Sequence, residues 1–333
     1  MKFQNRRAAV EVQFNWIFIL IAGALILTLF TTIVLKQKSV SQVSSHAALL
    51  KALSAIAIGS QASPGVTSTL DLPQATIGIE CNLIRIASQS QQFEQMMVFA
   101  PSSLRSSPLV SMTLEWSVPY RVSNIVYLSS PKVRYILIGD TPLSRQMNKS
   151  MPKGLEVEWY PNLPSGIRPR GDDSARFIFF GPSAPSLPPG FEDVENLKVS
   201  ALHVDGDSRF GTAGFYAKSG DRFALRQVFP YLKQQMLLGA MISDSEVLYG
   251  CIATNMVKRL SLVSQVYSQR TSDLSQDPSL SRCQGLYADA IPKISLIGKV
   301  GLNEGSASQL DTAITSLESA NSELQRQSCP LLY

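Results

Sequence analysis

Twenty residues, Trp16–Leu35 (WIFILIAGALILTLFTTIVL), run without a charge. As a helix rising about 1.5 Å per residue they reach about 30 Å, the thickness of a bilayer's hydrocarbon core. Nothing later in the chain matches them in length and apolarity. The expected organisation is one span in contact with membrane lipid, followed by roughly 300 soluble residues, enough to bury a core. Trp16, beside Asn15, is an interface anchor at one end of the span. Gly23, flanked by Ala22 and Ala24, gives a patch of small residues on which another helix can pack closely.

Charge sets the expected orientation. Lys2, Arg6 and Arg7 precede the span with Glu11 opposing them, and Lys36 and Lys38 follow it. With the terminal amine added, the balance favours an N-terminus inside and residues 39–333 outside the cytoplasmic membrane. A cleaved signal peptide is the competing reading. Its apolar core is about 7–15 residues and ends near a small-residue cut site. Here the run is longer and is followed by KQKSVSQVSS, so a signal-anchor is expected.

The chain has a formal net charge of +5. Residues 1–38 hold five Lys or Arg and one Glu, so the remainder is nearly neutral. The basic balance therefore belongs to the membrane flanks, and nothing points to nucleic acid as a partner.

Cys81, Cys251, Cys283 and Cys329 are the only cysteines, and none forms a C-x-x-C pair. With His46 and His203 as the only imidazoles, a zinc site is not expected, and no cofactor is implied. An even number of cysteines outside the membrane points to two disulfides, with three connectivities open. In a cytosolic chain the same residues would be buried thiols.

Along the soluble part, residues 39–60 have the composition of a helix continuing from the span, and residues 61–73 read as a linker or loop. Strand-like runs follow at Thr76–Ile86, Phe93–Phe99, Val110–Trp116 and Val122–Leu128. Val133–Ile138, a short helix over Pro142–Met151 and Leu155–Trp159 read as one β-α-β unit. Further strands are expected at Arg176–Phe180, Leu197–Val204 and Gly211–Ala217, between Pro- and Gly-rich loops. From Ser243 the pattern turns helical: Ser243 to about Thr271, then Leu280–Ile297 with a kink or end at Pro292, then Ser306–Gln327. The last helix spaces Leu310, Ile314, Leu317, Asn321 and Leu324 as a coiled-coil-like seam, expected to pack inside its own domain rather than on a partner. If the three helices run antiparallel, Cys283 and Cys329 share an end. Cys251, at the other end, then pairs with Cys81.

Few patterns carry chemistry. His203-Val204-Asp205-Gly206-Asp207-Ser208 is the one place where a His and two carboxylates cluster; it would suit a cation site or an acid-base pair, and its Asp-Gly is equally a strong hairpin-turn signal, which is the expected reading. Gly139-Asp140-Thr141 follows an apolar strand and could host a ligand at a strand's C-terminal edge, as in open α/β sheets. Arg170-Gly171-Asp172 spells an adhesion tripeptide, which a loop turn explains equally. Asn148-Lys149-Ser150 fits the glycosylation triplet. No G-x-S-x-G elbow, P-loop or dinucleotide fingerprint occurs.

Two resemblances add context. Arg6-Arg7-Ala8-Ala9-Val10-Glu11-Val12-Gln13-Phe14 resembles the class III signal of archaeal pilins and archaellins. In that family the cut would fall after Arg7 and Ala8, making Ala9 the new N-terminus; Gln13 stands where many members carry Glu. Phe14–Leu27, Leu114–Leu137 and Leu237–Cys251 resemble segments of single-span membrane-anchored proteins of DPANN archaea. That resemblance implies topology and cell type but no activity and no functional residues.

The expected architecture is α+β, with a Rossmann-like layer as one form of its sheet. Its parts are an anchor (1–38), a juxtamembrane helix and linker (39–73), a mixed-sheet domain (74–242) and a disulfide-linked helical subdomain (243–333). The expected function is an extracytoplasmic envelope protein acting by binding or assembly, through self-association or an envelope partner, with a pilin-like surface subunit as one version. A membrane-tethered enzyme or small-ligand receptor is the rival.

Overall fold

The computed structural model describes residues 7–62, 65–71, 75–93, 96–105, 108–171, 173–299 and 307–333. The fold is mixed α/β, in two compact units, Met1–Lys51 and Ala52–Tyr333.

Helix α1 (Arg7–Ala62) carries the apolar run without a break. Its segment Phe18–Gln37 is long and apolar enough to cross a membrane, and none of it is buried by the protein. The threonine hydroxyls inside it bond to the helix's own carbonyls. Thr28 and Thr31 each donate 2.7 Å hydrogen bonds to the carbonyls four residues earlier, Ala24 and Leu27. That is what a helix in hydrocarbon requires, where water cannot serve as partner.

In the second unit, residues read as linker form strand β1 (Thr67–Leu70), which pairs antiparallel with β7 (Leu109–Ser117). Its Thr-Ser-Thr-Leu sequence lacks an apolar stripe, so only the neighbouring strand specifies it. The run Thr76–Ile86 is a hairpin rather than one strand: β2 (Thr76–Glu80) and β3 (Leu83–Ile86) turn at Cys81-Asn82, where Asn82 adopts φ 58°. Asn tolerates that left-handed conformation better than most residues. With β4 (Gln89–Gln92) and β6 (Ser103–Arg105) the hairpin builds an antiparallel sheet ordered β4-β3-β2-β6. Strand β5 (Met97–Phe99) lies parallel to β8 (Arg121–Ser129) and completes a second sheet, β1-β7-β8-β5.

The largest sheet runs β10-β9-β11-β12-β13-β14. Its members are β9 (Val133–Ile138), β10 (Glu156–Tyr160), β11 (Ser174–Phe180), β12 (Val199–Gly206), β13 (Phe210–Ser219) and β14 (Arg222–Leu232). The first four are parallel, and the last two return antiparallel. Helix α2 (Pro142–Ser150) links β9 to β10, completing the expected β-α-β unit. One face of this sheet is covered by loops instead of helices. Ile167 and Phe191, from the two Pro- and Gly-rich segments, pack on Ile136, Phe177, Phe179 and Ala201.

On the opposite face lies α3 (Lys233–Ile242), whose residues from Met236 to Ile242 are all buried. Trp116 Nε1 donates to Leu232 O at 3.1 Å and Tyr127 OH to Gln235 O at 2.7 Å, so the second sheet grips the start of α3. A helix walled in on every side needs no polar stripe. For that reason the segment 233–242 shows no amphipathic period. Arg176 of β11, 2% exposed, reaches the other end of α3.

Helices α4 (Glu246–Gln276), α5 (Gln284–Lys299) and α6 (Ala307–Arg326) pack pairwise, α4 on α5 and α5 on α6. Pro292 neither ends α5 nor splits it; the helix runs on to Lys299. The seam residues Leu310, Ile314, Leu317 and Leu324 are buried within this chain. Asn321, the polar seam position, holds the C-terminal tail. Its Oδ1 accepts from Leu332 N at 2.8 Å and its Nδ2 donates to Tyr333 O at 3.2 Å.

Candidate functional site

A cleft of about 280 Å³ opens where parallel strands of the large sheet end. Its floor is Phe180 and Gly181 at the end of β11, and Val204 to Ser208 at the end of β12. Thr141, Pro142, Leu143 and Gln146 from the start of α2 form one wall. In open α/β sheets the crevice outside the carboxyl ends of the strands is where ligands sit. The parallel strands supply that crevice because β9 continues into α2 on one side of the sheet while β11 and β12 run on beside it.

Three glycines hold the strand ends close. At Gly139 φ is +126°, and a β-carbon would lie 2.4 Å from the carbonyl oxygen of Phe180. Gly206 at φ +125° pairs across the hairpin with Gly211, where a β-carbon would lie 2.2 Å from Asp205 O. Only a residue without a side chain meets these requirements.

The polar groups around the cleft are mostly engaged. Thr141 caps α2: its Oγ1 accepts from Ser144 N at 3.0 Å, and its own N–H donates to Ser144 Oγ at 3.1 Å. Ser144 Oγ in turn donates to Gly139 O at 2.6 Å. Pro142 has no N–H. Asp140 does not line the cleft, and its carboxylate pairs with Arg145 at 2.7 Å. Asp207 Oδ1 accepts the N–H groups of Arg209 (2.7 Å) and Phe210 (3.1 Å), closing the turn. The carboxylate of Asp205, an exposed residue on the lining, has no hydrogen-bond or ion-pair partner among the described residues.

The His-Asp cluster read from the sequence is thus divided. His203 alternates with Val204 along β12, and its Nε2 is bound to Gly181 O at 2.6 Å rather than facing the cleft. The wall carries acceptors and apolar surface, but no base next to a nucleophile. Ser208, the last residue of that cluster, lines the cleft, while the sequence does not mark Gln146 and Phe180 as site residues, because only the sheet brings positions this far apart together.

Other expected positions are placed as follows. Cys81 and Cys251 form one disulfide (Cα–Cα 6.0 Å), and Cys283 and Cys329 the other (6.4 Å). Beside the first, Asn255 Nδ2 donates to Asn82 Oδ1 at 3.2 Å, fixing the hairpin turn on α4. Asn148 is exposed on α2. Arg170 of the adhesion-like tripeptide is bound to Glu158 at 3.1 Å and also to Glu156. Its Asp172 lies outside the described residues, as do Lys2 and Arg6 of the N-terminal flank, while the backbone of Arg7, Ala8 and Ala9 is helical. Among the described residues no three His, Cys, Asp or Glu side chains gather as metal ligands.

A second polar cluster is structural. Glu158 Oε1 accepts from Arg134 Nη2 at 2.8 Å, and Tyr160 donates to Oε2 at 2.9 Å. Arg134, its side chain 4% exposed, also donates to Arg168 O at 2.8 Å. Burial pushes the Glu158 carboxyl up, but the hydrogen bonds from Arg134 and Tyr160, with Arg170 nearby, together hold it below the usual range. The network ties the loop after β10 to the sheet.

No family model matches the chain, and no curated protein or solved structure is significantly similar to it.

Proposed function

We propose that this chain is a single-pass envelope protein, with its N-terminus inside and residues 39–333 outside the cytoplasmic membrane, acting by binding rather than catalysis. The observation that carries this reading is the pairing of all four cysteines behind an exposed apolar helix. Disulfides persist in oxidising compartments and are rare in the cytosol. The test is maleimide mass-tagging of intact cells with and without reductant, with N-terminal sequencing of the membrane fraction. Tags that attach only after reduction support the reading. Four thiols that label in denatured, unreduced protein would overturn it.

Two versions of the binding role are supported by different features. The unbroken 56-residue α1 with its apolar exposed segment suits assembly, including a pilin-like subunit trimmed to Ala9. The cleft at the strand ends suits a small-ligand receptor. We favour the receptor, and read the parallel strands with α2 as a Rossmann-like layer, because their order places a crevice at the switch between β9 and β11. Residues 246–326 then serve as an antiparallel helical buttress joined by the two disulfides.

A further inference from the structure

We propose that the cleft between α2 and the ends of β11 and β12 binds a small organic ammonium ion, its charge on the Asp205 carboxylate and its apolar part on Leu143, Phe180 and Val204. This rests on the receptor version of the proposed function and names its ligand class.

Size comes first. At about 280 Å³ the cleft is at the lower end of the roughly 300–1,000 Å³ common for small-molecule sites. It suits a compact molecule, not a nucleotide or a peptide.

Charge decides the class. No Lys or Arg is on the lining. Two basic side chains adjacent in sequence to the lining are engaged elsewhere: Arg145 pairs with Asp140 at 2.7 Å, and Arg209 pairs with Asp311 on α6 at 2.6 Å. The start of α2 offers little to an anion, since its cap engages Ser144 N and Pro142 lacks a donor. An anion entering would meet Asp205 and Asp207 with nothing to offset them.

A metal ion is also a poor fit. Asp207 Oδ1 is engaged by two backbone N–H groups, which leaves Asp205 as the cleft carboxylate with both oxygens open. Calcium and magnesium take six or more oxygen ligands. One carboxylate beside three apolar side chains instead matches an alkylammonium. The N–H groups make charge-assisted hydrogen bonds to Asp205, and the hydroxyls of Thr141 on the wall and Ser208 on the floor belong to the same lining.

The test uses the full-length chain in detergent micelles, with ligand-observed NMR and calorimetric titration. The probes are n-butylammonium chloride, sodium butyrate and 1-butanol, which share a chain and differ in charge. We expect saturable binding of butylammonium alone. Asp205→Asn should weaken it at least about tenfold, the loss of one charge-assisted contact. Ser208→Lys, which leaves Asp205 in place and adds a cation at the rim, should weaken it similarly. Asp221→Asn, in the distant β13–β14 turn, should leave it unchanged. Far-UV circular dichroism identifies a variant that has not folded, and Ser208→Lys then stands in for Asp205→Asn. Equal binding of butanol or butyrate, wild-type affinity in Asp205→Asn and Ser208→Lys, or no saturable binding at all would overturn the ammonium site. None of these outcomes bears on membrane anchoring, which the mass-tagging experiment decides separately.

Discussion

Arg176 Nη2 donates to the carbonyl oxygen of Ala240 at 3.0 Å, joining the interior of the large sheet to the last turn of α3. The same guanidinium lies 5.2 Å from the Phe215 ring centroid. A cation at a helix C-terminus satisfies carbonyls that have no partner within the helix and opposes the helix dipole. Burial lowers its pKa to about 10, with Asp244 opposing, so it stays charged at neutral pH. Arg176→Met keeps the stem but strips the donors from buried carbonyls. We expect a loss of about 3 kcal/mol in urea unfolding. A loss under about 1 kcal/mol would mean that the clamp is not structural.

Gly139 is the glycine on which the cleft most depends. Gly139→Ala puts a methyl against Phe180 O, which is backbone and cannot rotate away. The strands must separate, so the variant should lose about 2 kcal/mol or more in stability. A change of solvent exposure at Phe180, read by hydrogen exchange at residues 180–181, checks the location. Wild-type exchange there would rule out this account.

Glu158 sets part of the acid limb of stability. Its carboxyl titrates below the ordinary Glu range in the folded chain. The resulting stabilisation is therefore complete above the unfolded-state value of about 4.5 and is lost as pH falls through the lower folded value. Glu158→Gln should be less stable than wild type at pH 7, and the gap should close as pH falls below the ordinary Glu range. Thermal melts of both proteins across that range measure it; a gap independent of pH would show that the network acts through packing alone.

The C-terminal tail depends on Asn321. In a seam shared with a partner helix, Asn321→Leu would strengthen association. Here it removes both hydrogen bonds to Leu332 and Tyr333, so we expect faster carboxypeptidase trimming and a loss of about 1–2 kcal/mol. A stabilised variant that elutes as a dimer would favour the partner seam instead.

Removing Cys283 and Cys329 together opens a closure of 46 residues, which costs about 2–4 kcal/mol. Non-reducing peptide maps should join 283 with 329 and 81 with 251. Any other linkage would contradict the helix order.

Several elements were legible because their reasons are local. The charge-free run of 20 residues identifies the apolar helix by length alone. Alternation or uniform apolarity marks β7, β8, β9 and β11, and the capping residues before Glu246 mark α4. An antiparallel order of the last three helices, taken as a premise, favours Cys283–Cys329 and Cys81–Cys251 among three connectivities, and these are the pairs in the fold. What depends on neighbours was not legible. Strand β1 exists because β7 offers an edge, and α3 is apolar all round because sheets enclose it. A kink or an end was expected at Pro292; the helix does not end there but runs on to Lys299, packed on α4 and α6.

The cleft divides in the same way. Gly139-Asp140-Thr141 stood out as a strand-end segment, and Thr141 does line the crevice, whereas Asp140 turns to Arg145. The His203–Asp207 cluster read as one unit, but strand alternation sends His203 to Gly181, and the turn engages Asp207. The sequence by itself determined the apolar helix, the cysteine count and the periodic elements, because chain length, bonding capacity and local sterics are written residue by residue. Only the tertiary structure decided which carboxylate is left open, since hydrogen-bond partners are allotted by the packing of strands that are distant in the chain.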